Sequence, residues 1–115
     1  VLQLKSEEDA IVANEVIASI EMAAGDSDGT DAATVAAGIH AIAEGTFSAS
    51  ANATKLVFTC GVSETAAASA TAKMTLASDG DLTLAGTVTA DATATLLIKN
   101  SSGSTLKTIN GIAAN

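Results

Sequence analysis

Few residues in this sequence are of types that can do chemistry, and they do not cluster. The densest grouping is Asp26-Ser27-Asp28-Gly29-Thr30-Asp31, whose carboxylates Asp26, Asp28 and Asp31 are the candidate metal ligands. A hard cation such as Ca²⁺ takes about six to eight oxygens, some of which a short acidic loop can supply. The spacing departs from an EF-hand loop, because Gly29 stands fourth and no Glu closes the ring. A solvated acidic turn accounts for the same residues, so the expectation is no bound metal and no other cofactor.

His40 is the one histidine and lies within an apolar stretch, which points to an interior or interface role rather than a catalytic one. Cys60 is the one cysteine, so no disulfide forms within the chain, and its default role is that of a small hydrophobe. A Cys60–His40 nucleophile–base pair requires the fold to bring the two together, and no oxyanion or orienting motif accompanies them. Glu7, Glu8 and Asp9 read as a solvated turn. A carboxylate pair for sugar hydrolysis needs a cleft, usually lined with aromatics, and Phe47 and Phe58 are the only aromatic residues. Gly-rich phosphate loops are absent. The expectation is no catalytic residue and no enzymatic activity.

The chain of 115 residues has the length of one domain and an acidic balance, Asp+Glu 13 against Lys+Arg 5, for a net charge of −8. Nucleic-acid binding needs a basic face that releases counterions from phosphates, and anionic lipid needs the same sign of charge. Neither class fits. No apolar run approaches the roughly 20 residues of a membrane span. A start at Val1 rather than Met is expected of a processed chain or, the reading preferred here, a piece of a longer one.

Ala, Ser and Thr together make up about 45% of the residues, well above average usage. Burying a Leu, Ile or Val is worth roughly 1.5–3 kcal/mol and an Ala much less, while ordering each residue costs about 1.5 kcal/mol. A lone monomer is therefore expected to be marginal, and small residues let several copies approach closely. Oligomerisation follows as an expectation.

The elements that must position these residues read as short strands. Val1–Lys5 alternates as an opening strand would. Glu15–Ala23 alternates too, although its Ala, Glu and Met content leaves a helix as the alternative, and Asn14 breaks the run that precedes it. Gly25–Asp31 is a loop. Thr34–Glu44 is apolar on both alternating faces, which predicts a strand covered on both sides. Gly45–Thr54 is a loop, and Lys55–Cys60 a strand with Leu56, Phe58 and Cys60 facing one way. Gly61–Thr71 is an Ala-rich connection in which a helical turn is possible.

Lys73–Ala90 carries the strongest local signal. Met74-Thr75-Leu76 and Leu82-Thr83-Leu84 flank Ser78-Asp79-Gly80-Asp81, an Asp-Gly hairpin that sets Met74, Leu76, Leu82 and Leu84 on one face. Thr87–Ala90 is read as a further strand, with Gly86 marking a bulge or a close backbone approach. Asp91–Thr93 is a joint, and Leu96–Lys99 with Thr105–Ile109 forms a second hairpin around Asn100–Ser104. The fold class is thus all-β, antiparallel hairpins and a meander making an elongated module, with residues 1–90 as the main unit and 91–115 as a C-terminal hairpin unit.

In the order Glu15–Met22, an acidic Gly loop, Val35–Glu44, Lys55–Thr59 and Lys73–Leu84, followed by Thr83-Leu84-Ala85-Gly86-Thr87-Val88, the sequence resembles a module of bacteriophage tail fibres, particularly those of marine and cyanobacterial phages. The resemblance covers roughly residues 11–90, and LLIKNSSGSTLKTINGI is more weakly similar to β units near fibre ends. Cys60 stands where that family more often has Thr or Ser, and Met22 where it often has Phe. The resemblance implies a homotrimeric β-rich fibre segment on the virion, held by other tail or capsid proteins, that carries a tip toward a host surface receptor or glycan. It transfers no functional residue. Two other readings share part of this pattern: a capsid decoration or head-fibre protein, and a calcium-dependent bacterial surface adhesin built on the Asp26–Asp31 loop.

Overall fold

The computed structural model describes residues 1–25, 34–62, 65–89 and 95–110. Strands β1 (Val16–Ala23), β2 (Val35–Ala43), β3 (Thr54–Cys60), β4 (Met74–Leu76) and β5 (Leu82–Leu84) form one antiparallel sheet in chain order. Strands β6 (Thr95–Lys99) and β7 (Thr105–Asn110) pair with each other as a separate hairpin. The chain is all-β and elongated. Its radius of gyration is 18.5 Å, whereas a compact chain of about 100 residues has about 13 Å.

Glu15–Ala23 forms a strand rather than a helix, because pairing with β2 along its length outweighs the helix preference of Ala, Glu and Met. Asn14 turns the chain into it. Its φ of 70° lies in the left-handed region that Asn tolerates, and its N–H donates to the Ala43 carbonyl at 2.8 Å.

Register sorts the sheet into two unlike faces, since directly paired residues point the same way. One face carries the row Ser19, His40, Val57, Thr75 and Thr83, with Glu21, Gly38 and Thr59 beside it. The other carries two wholly apolar rows, Ile20-Ile39-Phe58-Met74-Leu84 and Ala18-Ala41-Leu56-Leu76-Leu82, extended by Met22, Ala37 and Cys60. The buried apolar residues among those described are Ile42, Ala43, Val57 and Ala66, a thin core in which Ala supplies half the members.

Three expectations are corrected here. Val1–Lys5 is exposed coil, because an alternating run with no partner edge gains no ladder hydrogen bonds. Thr87–Thr89 likewise forms no strand; pairing of the hairpin ends at the Ala85 N–H to Lys73 carbonyl bond, and the chain bends at Ala85–Gly86. The interior strand β2 is not covered on both sides along its length. Gly38, His40 and Ile42 are buried on one face, whereas on the other Val35, Ala37, Ile39 and Ala41 are only half-buried and cover is complete only at the terminal Ala43. Alternating Ala and Ile on both faces permit two-sided cover without requiring it.

The Lys73–Ala90 hairpin forms with Met74 paired to Leu84 and Leu76 to Leu82. Its loop is Ser78-Asp79-Gly80, closed by Ala77 N–H to Asp81 carbonyl at 2.9 Å and Gly80 N–H to Ala77 carbonyl at 3.0 Å. This is the three-residue loop that ends in a residue of positive φ, here Gly80 at 94°. Gly80→Ala should therefore cost about 1–2 kcal/mol of stability, read as a lower denaturation midpoint, because no side-chain clash is involved and the strain is all backbone. Asp81→Asn should shift it by less than about 0.5 kcal/mol, since the bond to the Asp79 carboxylate is made by the Asp81 backbone N–H.

Leu96–Lys99 and Thr105–Ile109 fall within β6 and β7, joined by a loop that Asn100 organises. Its side-chain oxygen accepts the N–H of Ser102 at 3.1 Å and of Ser104 at 2.9 Å, and the Ser102 hydroxyl at 2.7 Å. The proposed joint Asp91–Thr93 lies outside the described residues.

Candidate functional site

The most organised polar grouping centres on His40, in the middle of β2 and fully buried. Three segments converge on its ring. Ser19 of β1 places its hydroxyl 2.8 Å from Nδ1. On the opposite side, Nε2 lies 3.0 Å from the Thr59 hydroxyl of β3 and 3.3 Å from the carbonyl oxygen of Ala66 in the Gly61–Lys73 connection. Thr59 in turn donates its hydroxyl hydrogen to that carbonyl.

One neutral tautomer satisfies every group. Nε2–H donates to the Thr59 oxygen, Thr59 donates to Ala66, and the free lone pair on Nδ1 accepts from Ser19. The hydrogen positions follow from the network. Among the described residues, no buried side-chain nitrogen or oxygen is left without a partner. That matters energetically, because a satisfied bond nets about 0.5–1.5 kcal/mol while an orphaned buried partner costs about 1–3 kcal/mol.

Gly38 is part of the same structure. It sits two residues before His40 on the same face, and the imidazole lies directly over it. A Cβ added there would come within 2.3 Å of Nε2 and 2.5 Å of Cε1. The absent side chain is the space the ring occupies.

The Ala-rich connection is held against this face. The Ala66 N–H donates to the Val35 carbonyl at 2.7 Å while its own carbonyl takes the bonds from Thr59 and His40, and Ala66 is fully buried. Ala67–Ala70 makes a single turn, closed by Ala70 N–H to Ala67 carbonyl at 2.8 Å, and no helix. Small side chains are what allow a connection to lie this close to a sheet.

A serine hydroxyl on an imidazole nitrogen is the first half of a nucleophile–base arrangement. The second half differs from what catalysis uses. The far nitrogen meets a neutral hydroxyl and a backbone carbonyl rather than a carboxylate, and the ring is enclosed. What this geometry does is join β1, β2, β3 and the connection through one rigid ring. Cys60 is not part of it. It pairs with Ala37 on the opposite face of the sheet and is exposed, so the Cys60–His40 pair does not form.

The remaining candidates are dispersed. Glu7, Glu8 and Asp9 are exposed coil, and Asp26, Asp28 and Asp31 lie outside the described residues. No group of three or more His, Cys, Asp or Glu gathers among the described residues, and none of their helices is long and apolar enough to cross a membrane. Glu44, at the end of β2, accepts hydrogen bonds from the Ser78 hydroxyl and, at 3.5 Å, from its N–H, which ties the hairpin loop back to the sheet.

Sequence reasoning places His40 in the interior but misses Ser19, Thr59 and Ala66. The one local signal was Gly38-x-His40 in a strand, a residue without a side chain beside a ring on the same face. Comparison with protein-family models, with curated proteins and with solved structures finds no match to this chain.

Proposed function

We propose that this chain is a structural and adhesive virion module, a segment of a bacteriophage tail fibre that works as a homotrimer and helps present a receptor-binding tip to the host surface. The role is mechanical rather than catalytic. The observation that carries the reading is that the segments resembling the fibre module lie on the successive strands of a single sheet. Glu15–Met22 spans most of β1, Val35–Glu44 spans β2, Lys55–Thr59 lies in β3, and Lys73–Leu84 spans β4 and β5.

Two further features support it. The chain is extended rather than compact, with extents of 52 × 49 × 27 Å. Its core among the described residues is too thin for a self-sufficient domain, which association between copies would remedy. Partners on this reading are two further copies, neighbouring tail or capsid proteins, and a receptor or glycan on the host.

Antibody raised against the purified chain should label tail appendages on particles whose genome encodes it, viewed by electron microscopy. Label confined to the capsid shell would replace the fibre reading with a decoration or head-fibre role. Particles without label would remove the virion assignment altogether.

A further inference from the structure

We infer that the apolar face of the five-stranded sheet, lined by Ile20, Phe58, Leu76 and Leu84, is the surface through which one copy of this chain docks on another. The inference rests on reading the chain as an assembling structural module, and it adds which surface assembles.

The face is continuous and open. Two rows cross all five strands without a polar side chain, yet Ile20, Leu56, Leu76, Leu82 and Leu84 are 40–60% exposed, with Ile39, Phe58 and Met74 half-buried among them. Five strands at about 4.8 Å spacing, and three alternate side chains along the longer strands, give a flat area of about 400 Å². Soluble monomers rarely leave a larger apolar patch open. A stable interface takes about 800 Å² from each partner. The face accordingly supplies the apolar centre of such an interface, with the polar rim around it.

Charge selects the occupant. The chain carries a net −8, and two copies repel unless they meet through a surface free of carboxylates. The charged side chains within the sheet, Glu21 and Lys55, both lie on the His40 face, opposite Gly38 and Ile42 respectively. The apolar rows contain none. A basic partner would have nothing to pair with there, and anionic lipid would meet an acidic protein. An identical uncharged face is the complementary surface.

Stability points the same way. With Ile42 and Val57 as the only large apolar side chains in the described core, the cover must be present when the chain folds. A second copy is always at hand.

Neighbouring positions on opposite faces provide the test. In a Cys60→Ser background, Leu84→Cys and Thr83→Cys each place one exposed thiol on β5, and a short bismaleimide reports which thiols lie near their counterparts. Full-length chain should have a light-scattering mass that is a multiple of 11.2 kDa. Leu84→Cys should cross-link between chains at least tenfold more efficiently than Thr83→Cys. Leu84→Asp should reduce the mass to that of one chain.

If Leu84→Asp also unfolds the protein, the two milder cysteine variants still decide. Equal or stronger cross-linking from Thr83→Cys, or an assembled protein cross-linked by neither, would overturn the face assignment and leave the assembling module intact. A wild-type chain that is monomeric at every concentration would overturn both.

Discussion

Gly38→Ala is expected to destabilise the protein by about 2–4 kcal/mol, measured by chemical denaturation, although Ala is normally the better residue in a strand by about 0.5–1 kcal/mol. The reversal comes from what lies over the glycine. The new methyl would meet His40 Nε2 at 2.3 Å, Cε1 at 2.5 Å and the Thr59 hydroxyl oxygen at 3.0 Å. An exposed side chain would swing aside at little cost. This ring is held through Nδ1 by Ser19 and through Nε2 by Thr59 and Ala66, and it is fully buried. Any displacement that relieves the clash breaks at least one of those bonds, so overpacking and a lost buried hydrogen bond add together.

The same reasoning makes the effect separable from a generic cost of mutating β2. Once His40 is replaced by Ala, the ring contacts at 2.3 and 2.5 Å are gone and only the Thr59 hydroxyl, able to rotate away, remains near the added methyl, which should then cost little. A double-mutant cycle of Gly38→Ala with His40→Ala should therefore show a coupling of about 2 kcal/mol or more, far beyond the few tenths expected of independent sites. Additive costs would mean that the ring does not sit over Gly38.

The hairpin at Lys73–Leu84 and the strands β1 to β3 are legible in the sequence because their signals are local. Asp79-Gly80 supplies the turn, and apolar residues recur at every second position around it. Val1–Lys5 shows the same alternation and forms nothing, since a strand needs a neighbour and alternation does not name one. The His40 site depends on register in just this way. Ser19, Thr59 and Ala66 are brought to the ring by the pairings Ser19 with His40 and Gly38 with Thr59, and by the chain's return after β3. Residues about twenty positions apart carry no mark of that meeting. The Ala run at 66–68 reads as low complexity, yet its small side chains suit a backbone held against the sheet. The apolar face is half-legible: alternation alone puts Met74, Leu76, Leu82 and Leu84 on one side, but their continuity with Phe58, Ile39 and Ile20 depends on the complete sheet order.

Ala66→Asp should be the most disruptive single change in the connection, costing about 3 kcal/mol or more if the carboxylate stays where the methyl was. Ala66 has no exposed surface. The groups bonded to its backbone are the Val35 carbonyl, the Thr59 hydroxyl and the His40 ring, and each is already committed. A carboxylate forced in beside them would lose its hydration, so the connection is expected to lift off the sheet instead. Lifting removes the acceptor from Thr59 and exposes the face that holds Val57. Two observables separate this from loss of the whole fold. Limited proteolysis should cut within residues 61–73 far faster than in the wild type while the hairpin around Gly80 stays intact, and the Val57 and Thr59 amides, with their neighbours in β3, should exchange faster with solvent. Ser69→Asp adds the same charge three residues away at an exposed position and should leave both readouts unchanged. If Ser69→Asp opened the connection equally, its charge balance rather than the buried Ala66 latch would be what holds it down. If Ala66→Asp had no effect, the packing of the connection against the His40 face would be wrong.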